Sequence, residues 1–403
     1  CEIMSLSIQV SMPSGRSESL SAPHLLTVGR LRSLIQKSFG QRYLRLVNAE
    51  GHVFLDPLQS LEDAGIQDQD HIIAIAQQAN LVATLGAFTL WYCGCHGIVS
   101  WGESSKGGDS SQVHYQLKNV QEIHATCFAF AAILIDGSIV TWGDPFRGGD
   151  SSEVQDQLRN VKQLKGTSSA FAAILVDGSV VTWGNTENGA DSSQVQQQLQ
   201  NVQQIQANMD AFAAILADGS VVTWGDSSHG GDSTNVQDQL KNVQQIQSVG
   251  GAFAATLADG SVVTWGKPEV GGDSSSVQDQ LQDVQLIQGT GSAFAAILAN
   301  GSVVTWGTPE TGGDSSQVQE QLRDVKQIHA TKRAFAAVLV DGSVVTWGAS
   351  ENGGDSSKVQ HQLKNVQQIE STHSAFAPIL ADESVVTWGS CHHGGDSSQV
   401  QDQ

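Results

Sequence analysis

The chain has 403 residues, 39% of them hydrophobic and only 15% charged, so it can bury a large core and is too apolar for a disordered polymer. Its net charge of −21 disfavours binding to nucleic acid or to anionic membranes, and no apolar run reaches the ~18 residues of a membrane-spanning helix. Five irregularly spaced cysteines (Cys1, Cys93, Cys95, Cys127 and Cys391) form no disulfide framework and point to a reducing, intracellular compartment, cytoplasmic or nuclear.

The opening Cys1-Glu2-Ile3-Met4 has no basic region ahead of an apolar stretch, so no signal peptide is expected, and a start on Cys leaves room for missing upstream residues. Ser5–Met12 alternates Leu6, Ile8 and Val10 as a half-buried strand does. Pro13-Ser14-Gly15-Arg16 predicts a turn and Ser17–Ala22 a second strand. Thr27 caps a predicted helix to about Phe39, with Val28, Leu31, Leu34 and Ile35 on one stripe and Gly40 as its stop. Tyr43–Val47 predicts a third strand turning at Glu50-Gly51, Ser60–Ile66 a short helical turn, and His71–Ala76 a last strand. This order, with the segment SLEDAGIQDQDHIIAIA, resembles the ubiquitin-like β-grasp family over a predicted α+β domain at residues 1–78. The segment lacks the family's Gly-Gly tail, so conjugation is not expected, and Arg45 stands where the family's exposed apolar patch begins. Its expected role is to cap or position the rest of the chain.

From Ala79 the chain repeats. A Trp-Gly pair recurs at a constant spacing: Trp101, Trp142, Trp183, Trp224, Trp265, Trp306, Trp347 and Trp388. A strict period means one supersecondary unit copied and stacked, with its core between neighbours. In Val120–Asn160, VQEIHAT, AFAAILI and SIVTWG predict three strands. Asp136-Gly137 predicts a two-residue type I′ hairpin loop, repeated at Asp177-Gly178, Asp218-Gly219, Asp259-Gly260, Asn300-Gly301 and Asp341-Gly342. The loop fails in the terminal copies, at Cys95-His96 and Asp382-Glu383. Phe130, Ala132 and Leu134 fall on one face and Ala131 and Ile133 on the other, so both faces must be covered and the tryptophans are structural. Asp150 predicts an N-cap, Val154, Leu158 and Val161 an apolar helical stripe, and Asn160 a left-handed stop: one short helix per copy.

DGSVVTWG followed by a Gly-rich loop resembles the RCC1-type repeat. Over residues 79–403 the resemblance implies a mainly β fold, a β-propeller of eight copies with three strands and a short helix each. The alternative is an open repeat solenoid, which needs no closure. The copies are shorter than the family's, and SSxVQDQL replaces an expected strand. The family implies guanine-nucleotide exchange on a small GTPase, although no exchange-promoting segment can be matched. HERC-type ligases carry such repeats beside a large catalytic domain, for which this chain has no room.

The copies can be compared with one another. They differ in the four residues after Trp-Gly and in the few before the AFAA strand. The two segments lie at the same end of the hairpin and would form one rim. Phe146, Arg147, Met209, His229, Lys267, Lys332, Arg333 and His373 are the candidate contacts to a protein partner, since loops on a rigid scaffold favour binding. The competing explanation is drift of unconstrained surface positions. Asp109, Asp150, Asp191, Asp232, Asp273, Asp314, Asp355 and Asp396 follow glycines as in calcium-binding repeats, yet one carboxylate per loop falls short of ~6–8 oxygens, so capping is expected. Cys391-His392-His393 gathers no four-ligand zinc set in this register. No cofactor, metal or catalytic residue is expected, and nothing sets the oligomeric state. The leading expectation is a non-catalytic interaction scaffold; an enzyme would need polar residues converging on a central channel.

Overall fold

The computed structural model describes residues 5–23, 25–40, 44–54, 58–76, 79–92 and 98–398. Cys1, Tyr43, Cys93, Cys95 and His96, on which parts of the sequence-based expectations rest, lie outside the described residues. The chain divides into two compact units, Cys1–Val161 and Lys162–Gln403.

The first unit opens with β1 (Ser5–Ser11), β2 (Ser17–Pro23), α1 (Val28–Phe39), β3 (Leu44–Asn48) and β4 (His71–Ala76). The sheet order is β2-β1-β4-β3, with β1 and β4 parallel and the other pairs antiparallel. Thr27 accepts a hydrogen bond from the Arg30 N–H, and Gly40 ends α1 at φ 68°. Val28, Leu31, Ile35 and Phe39 carry the buried stripe onto Ile8, Val10, Leu46 and Ile72. Leu34, expected on that stripe, is exposed.

The repeats each form a separate three-stranded antiparallel sheet from consecutive strands. In the copy at Val120–Ala125, Ala129–Leu134 and Ile139–Gly143, Phe130 pairs with Trp142 and Ala132 with Val140. Successive side chains alternate between faces. One face therefore presents Phe, Trp and Val, and the other presents Ala and Ile. The large face of one copy packs on the small face of the copy before. Phe212, Trp224 and Val222 share a core with Ala170, Ala172, Ile174 and Val180. The same joint recurs further along, as with Phe335, Trp347 and Val345 against Ala293, Ala295, Ile297 and Val303. Indoles of the repeats also donate to a glycine carbonyl of the preceding copy: Trp142 to Gly107 at 3.1 Å, Trp224 to Gly189 at 3.0 Å, Trp306 to Gly271 at 3.1 Å and Trp388 to Gly353 at 2.9 Å.

The expected RCC1-like β-propeller is corrected by this structure. No sheet is closed or curled; every sheet is open and takes its strands from one copy. In the first unit, Phe88 and Trp101 of the leading copy are 43% and 44% exposed, where Phe130 and Trp142 are 0% and 4%. In the second unit, a Cβ on Gly394 would meet nothing within 4 Å, whereas one on Gly353 would meet the Phe376 ring at 2.6 Å. The repeats are an open stack with nearest-neighbour joints, a solenoid.

Two local expectations are also corrected. The Asp-Gly hairpin loop has three residues, not two. Gly137 N–H donates to Leu134 C=O, Leu134 N–H donates to Ser138 C=O, and only Gly137 has positive φ, at 78°. This is a turn followed by a left-handed residue, a common hairpin closure. The predicted helix after Gly-Gly-Asp is a run of turns, with short 3-10 segments at Gln278–Gln280 and Gln319–Gln321. Asp150 accepts from the Ser152 N–H two residues on, closing a local turn in place of a helix cap. Gln155 donates to Ile139 C=O and accepts from the Ser151 hydroxyl, tying the run to the third strand. So short a segment cannot offset the cost of helix nucleation once such competing bonds exist. Asn160 does adopt the left-handed conformation, at φ 55°.

Candidate functional site

The two variable segments meet within each copy. The four residues after Trp-Gly wind into a 3-10 turn, as at Pro145–Arg147, Ser227–His229 and Pro268–Val270. The segment before the second strand is clamped to that turn by one recurring bond. The Thr126 hydroxyl donates to Arg147 C=O, Thr167 to Asn188, Thr331 to Asn352 and Thr372 to His393. Two copies lack that threonine: in one the Asn208 side-chain amide donates to His229 C=O, and in the other Val249 has no side-chain donor for the clamp. Backbone bonds continue between copies: Gly250 N–H to Gly291 C=O at 2.9 Å, Gly291 to Lys332 at 2.7 Å and Lys332 to His373 at 3.0 Å. These bonds require only backbone, so they hold the loops whatever their side chains.

Within the first unit, Phe146 stands 82% exposed. Arg147 is half-buried; its guanidinium lies 3.9 Å over the Phe128 ring and 3.7 Å from the Asp144 carboxylate. In the second unit, Met209 is exposed, and its carbonyl accepts from Ser168 N–H. His229 Nδ1 lies 3.2 Å from Asp226 and 3.9 Å from Asp210. The Asp226 carboxyl is held below its ordinary value first by the Ser228 hydroxyl. Lys267 and Lys332 are exposed, and Arg333 reaches Glu351 at 3.4 Å. His373 stacks on His393 at 5.8 Å; partial burial, then Lys332 and His393, push its pKa down. Arg147 and His229 are therefore engaged within the scaffold, whereas Phe146, Met209, Lys267 and Lys332 present free side-chain surface. Sequence reasoning missed Phe128, whose ring fixes Arg147; the aromatic before AFAA was its signal.

The repeated aspartates each accept from the N–H two residues on, among them Asp191 from Ser193, Asp273 from Ser275 and Asp355 from Ser357, all at 2.9 Å. At Asp273 and Asp355 this bond, and at Asp191 the Ser193 hydroxyl followed by this bond, holds the carboxyl below its ordinary range. Among the described residues, no three His, Cys, Asp or Glu gather as metal ligands. Neither Cys127 nor Cys391 forms a disulfide with another described residue. Open grooves of about 750 and 670 Å³ occupy the same place in successive copies, beside Trp347 and Gln360 in one and Trp306 and Gln319 in the other. No described helix is long and apolar enough to cross a membrane.

No protein-family model matches the chain, and no curated protein matches it. Among solved structures it is similar to Prp20p of Saccharomyces cerevisiae, at 14% identity and TM-score 0.40, over 68% of this chain and 83% of that one. It is similar to the computationally designed Ika8 protein at 13% identity and TM-score 0.36, over 77% and 93%. It is also similar to the ubiquitin of Caldiarchaeum subterraneum at 22% identity and TM-score 0.18, over 19% and 96%. The likeness to Prp20p agrees with a repeat architecture in general terms.

Proposed function

We propose that the chain is a non-catalytic, intracellular scaffold that binds a protein through the loop end of its repeats. The observation that carries this reading is the recurring clamp: Thr126 on Arg147, Thr331 on Asn352 and their equivalents hold the variable segments on an invariant backbone. Residues that differ from copy to copy are thus displayed at fixed positions, the arrangement in which binding loops sit on rigid scaffolds. The test is affinity capture by the full chain, compared with a Phe146→Ser, Met209→Ser, Lys267→Glu variant. A control variant replaces Ile135, Val176 and Val340, which are exposed on the hairpin loops. Loss of a captured protein in the first variant alone supports the reading; equal capture by all three supports surface drift.

A second reading, regulation of a small GTPase, has its source in yeast Prp20p, which is described as binding Gsp1p and histones. Faster nucleotide release from one member of a GTPase panel, lost in the loop-end variant, would establish it over a passive scaffold.

A further inference from the structure

Within the second unit, three cationic side chains meet at the loop end of two adjoining copies. The His373 and His393 rings stack with their centroids 5.8 Å apart. The Thr372 hydroxyl donates to His393 C=O at 2.8 Å, which fixes one loop against the other. Lys332, from the copy before, donates its N–H to His373 C=O at 3.0 Å. All three side chains are exposed.

The rings are held through Nδ1. Asn352 donates to the Ser374 hydroxyl at 2.7 Å, so that hydroxyl's own proton goes to His373 Nδ1, at 2.8 Å. The neutral ring then carries its proton on Nε2. His393 Nδ1 lies 2.9 Å from the Ser390 hydroxyl. Among the described residues, neither Nε2 has a hydrogen-bond partner and the Lys332 ammonium has no ion pair. Glu351, the carboxylate on the adjoining turn, is taken by Arg333 at 3.4 Å. Partial burial, then Lys332 and His393, push the His373 pKa down, with no described carboxylate opposing them. In a chain of net charge −21, positive groups are thus gathered where no negative group answers them.

We infer that Lys332, His373 and His393 form a site for the phosphate of a phosphorylated serine or threonine on a protein partner. The inference rests on the loop-end reading above and names the chemistry that this end selects. A phosphate offers three acceptor oxygens, one for the lysine and one for each imidazole Nε2, and most of two negative charges. A carboxylate offers two oxygens and one charge. A long acidic segment is disfavoured, because the chain's own charge repels whatever lies outside the cluster. A metal ion is disfavoured, because no third described ligand joins the two imidazoles.

The test uses the full chain and three short peptides that differ only in one residue: phosphoserine, serine or glutamate. Imidazole C–H signals, assigned with His373→Gln and His393→Gln, report the site by NMR. The phosphoserine peptide should shift both signals and raise the His373 pKa, since an anion favours the charged ring. It should bind about tenfold or more tightly than the serine peptide. Lys332→Gln should weaken that binding about tenfold, and Lys332→Arg should retain it. Both substitutions keep the backbone bonds of residue 332; His393→Gln replaces Lys332→Gln if that variant misfolds. Equal binding of the serine or glutamate peptide overturns the inference, and so do imidazole signals that ignore the phosphoserine peptide. Partner capture that survives phosphatase treatment and Lys332→Gln, yet is lost in the Phe146→Ser, Met209→Ser, Lys267→Glu variant, overturns this site alone and leaves the loop-end reading standing.

Discussion

At the scale of the residue, the joint rests on an indole and a glycine. Trp306 is buried, stacks on Phe294 at 5.2 Å and donates to Gly271 C=O at 3.1 Å. Burying ~150–250 Å² of such a side chain at ~25 cal/mol/Å² contributes at most about 4–6 kcal/mol. Trp306→Ala should therefore cost about 3–5 kcal/mol. Trp101→Ala, at the bare end, should cost under about 0.5 kcal/mol. Urea midpoints of the two variants measure the contrast. The hairpin-loop aspartates give a pH signature. Asp136, Asp177, Asp218, Asp259 and Asp341 each accept from the serine hydroxyl and N–H two residues on, which hold their carboxyls below the usual range. A depressed folded pKa contributes stability above the unfolded value of about 3.9, and that contribution is lost as pH falls through the folded value. Asn300 makes the same bond to Ser302 at 2.9 Å without titrating. Replacing the five aspartates with Asn should flatten the acid limb of a melting-temperature profile below about pH 4 and leave pH 7 nearly unchanged.

At the scale of the element, the three-residue hairpin loop needs one left-handed residue. Glycine supplies it in the inner copies, but Glu383 occupies it in the last at φ 68°. Glu383→Gly should raise the stability of that copy by about 1 kcal/mol, read from thermal melting, because the strain of a left-handed side chain is removed. Strand positions were legible in the sequence because AFAAIL and VVTWG must be buried on both faces, and Asn160 was legible because few residues tolerate its conformation. Loop length was not, since Asp-Gly serves both the two-residue turn and the longer one. The helix was misread because spacing at Val154, Leu158 and Val161 fits a helix, while the bonds of Gln155 and Asp150 that oppose it depend on the third strand's position. At the candidate site, the pairing of the two variable segments was legible from the hairpin. Which of their residues are free was not, because Arg147 is engaged by a ring whose placement only the folded chain reveals.

At the scale of the whole molecule, ring and stack share the same neighbour joint and differ only in whether the ends are covered. The repeat pattern could not decide between them; the sheets, each open and drawn from one copy, do. Nearest-neighbour joints make the copies interchangeable. Deleting residues 284–324 joins Asp283 to Val325 and restores the motif that precedes a first strand. The shortened chain should fold with the same circular dichroism per residue and a slightly lower urea midpoint. The loop bonds from Gly250 to Gly291, Lys332 and His373 all point one way, each spanning one copy. They give the array a mechanical polarity. Under tension its copies should detach singly from an end, each releasing one repeat of slack, seen in a force trace as evenly spaced sawteeth of about 140 Å for 41 residues. The molecule would then act as a ratcheted spring whose length is counted in whole modules.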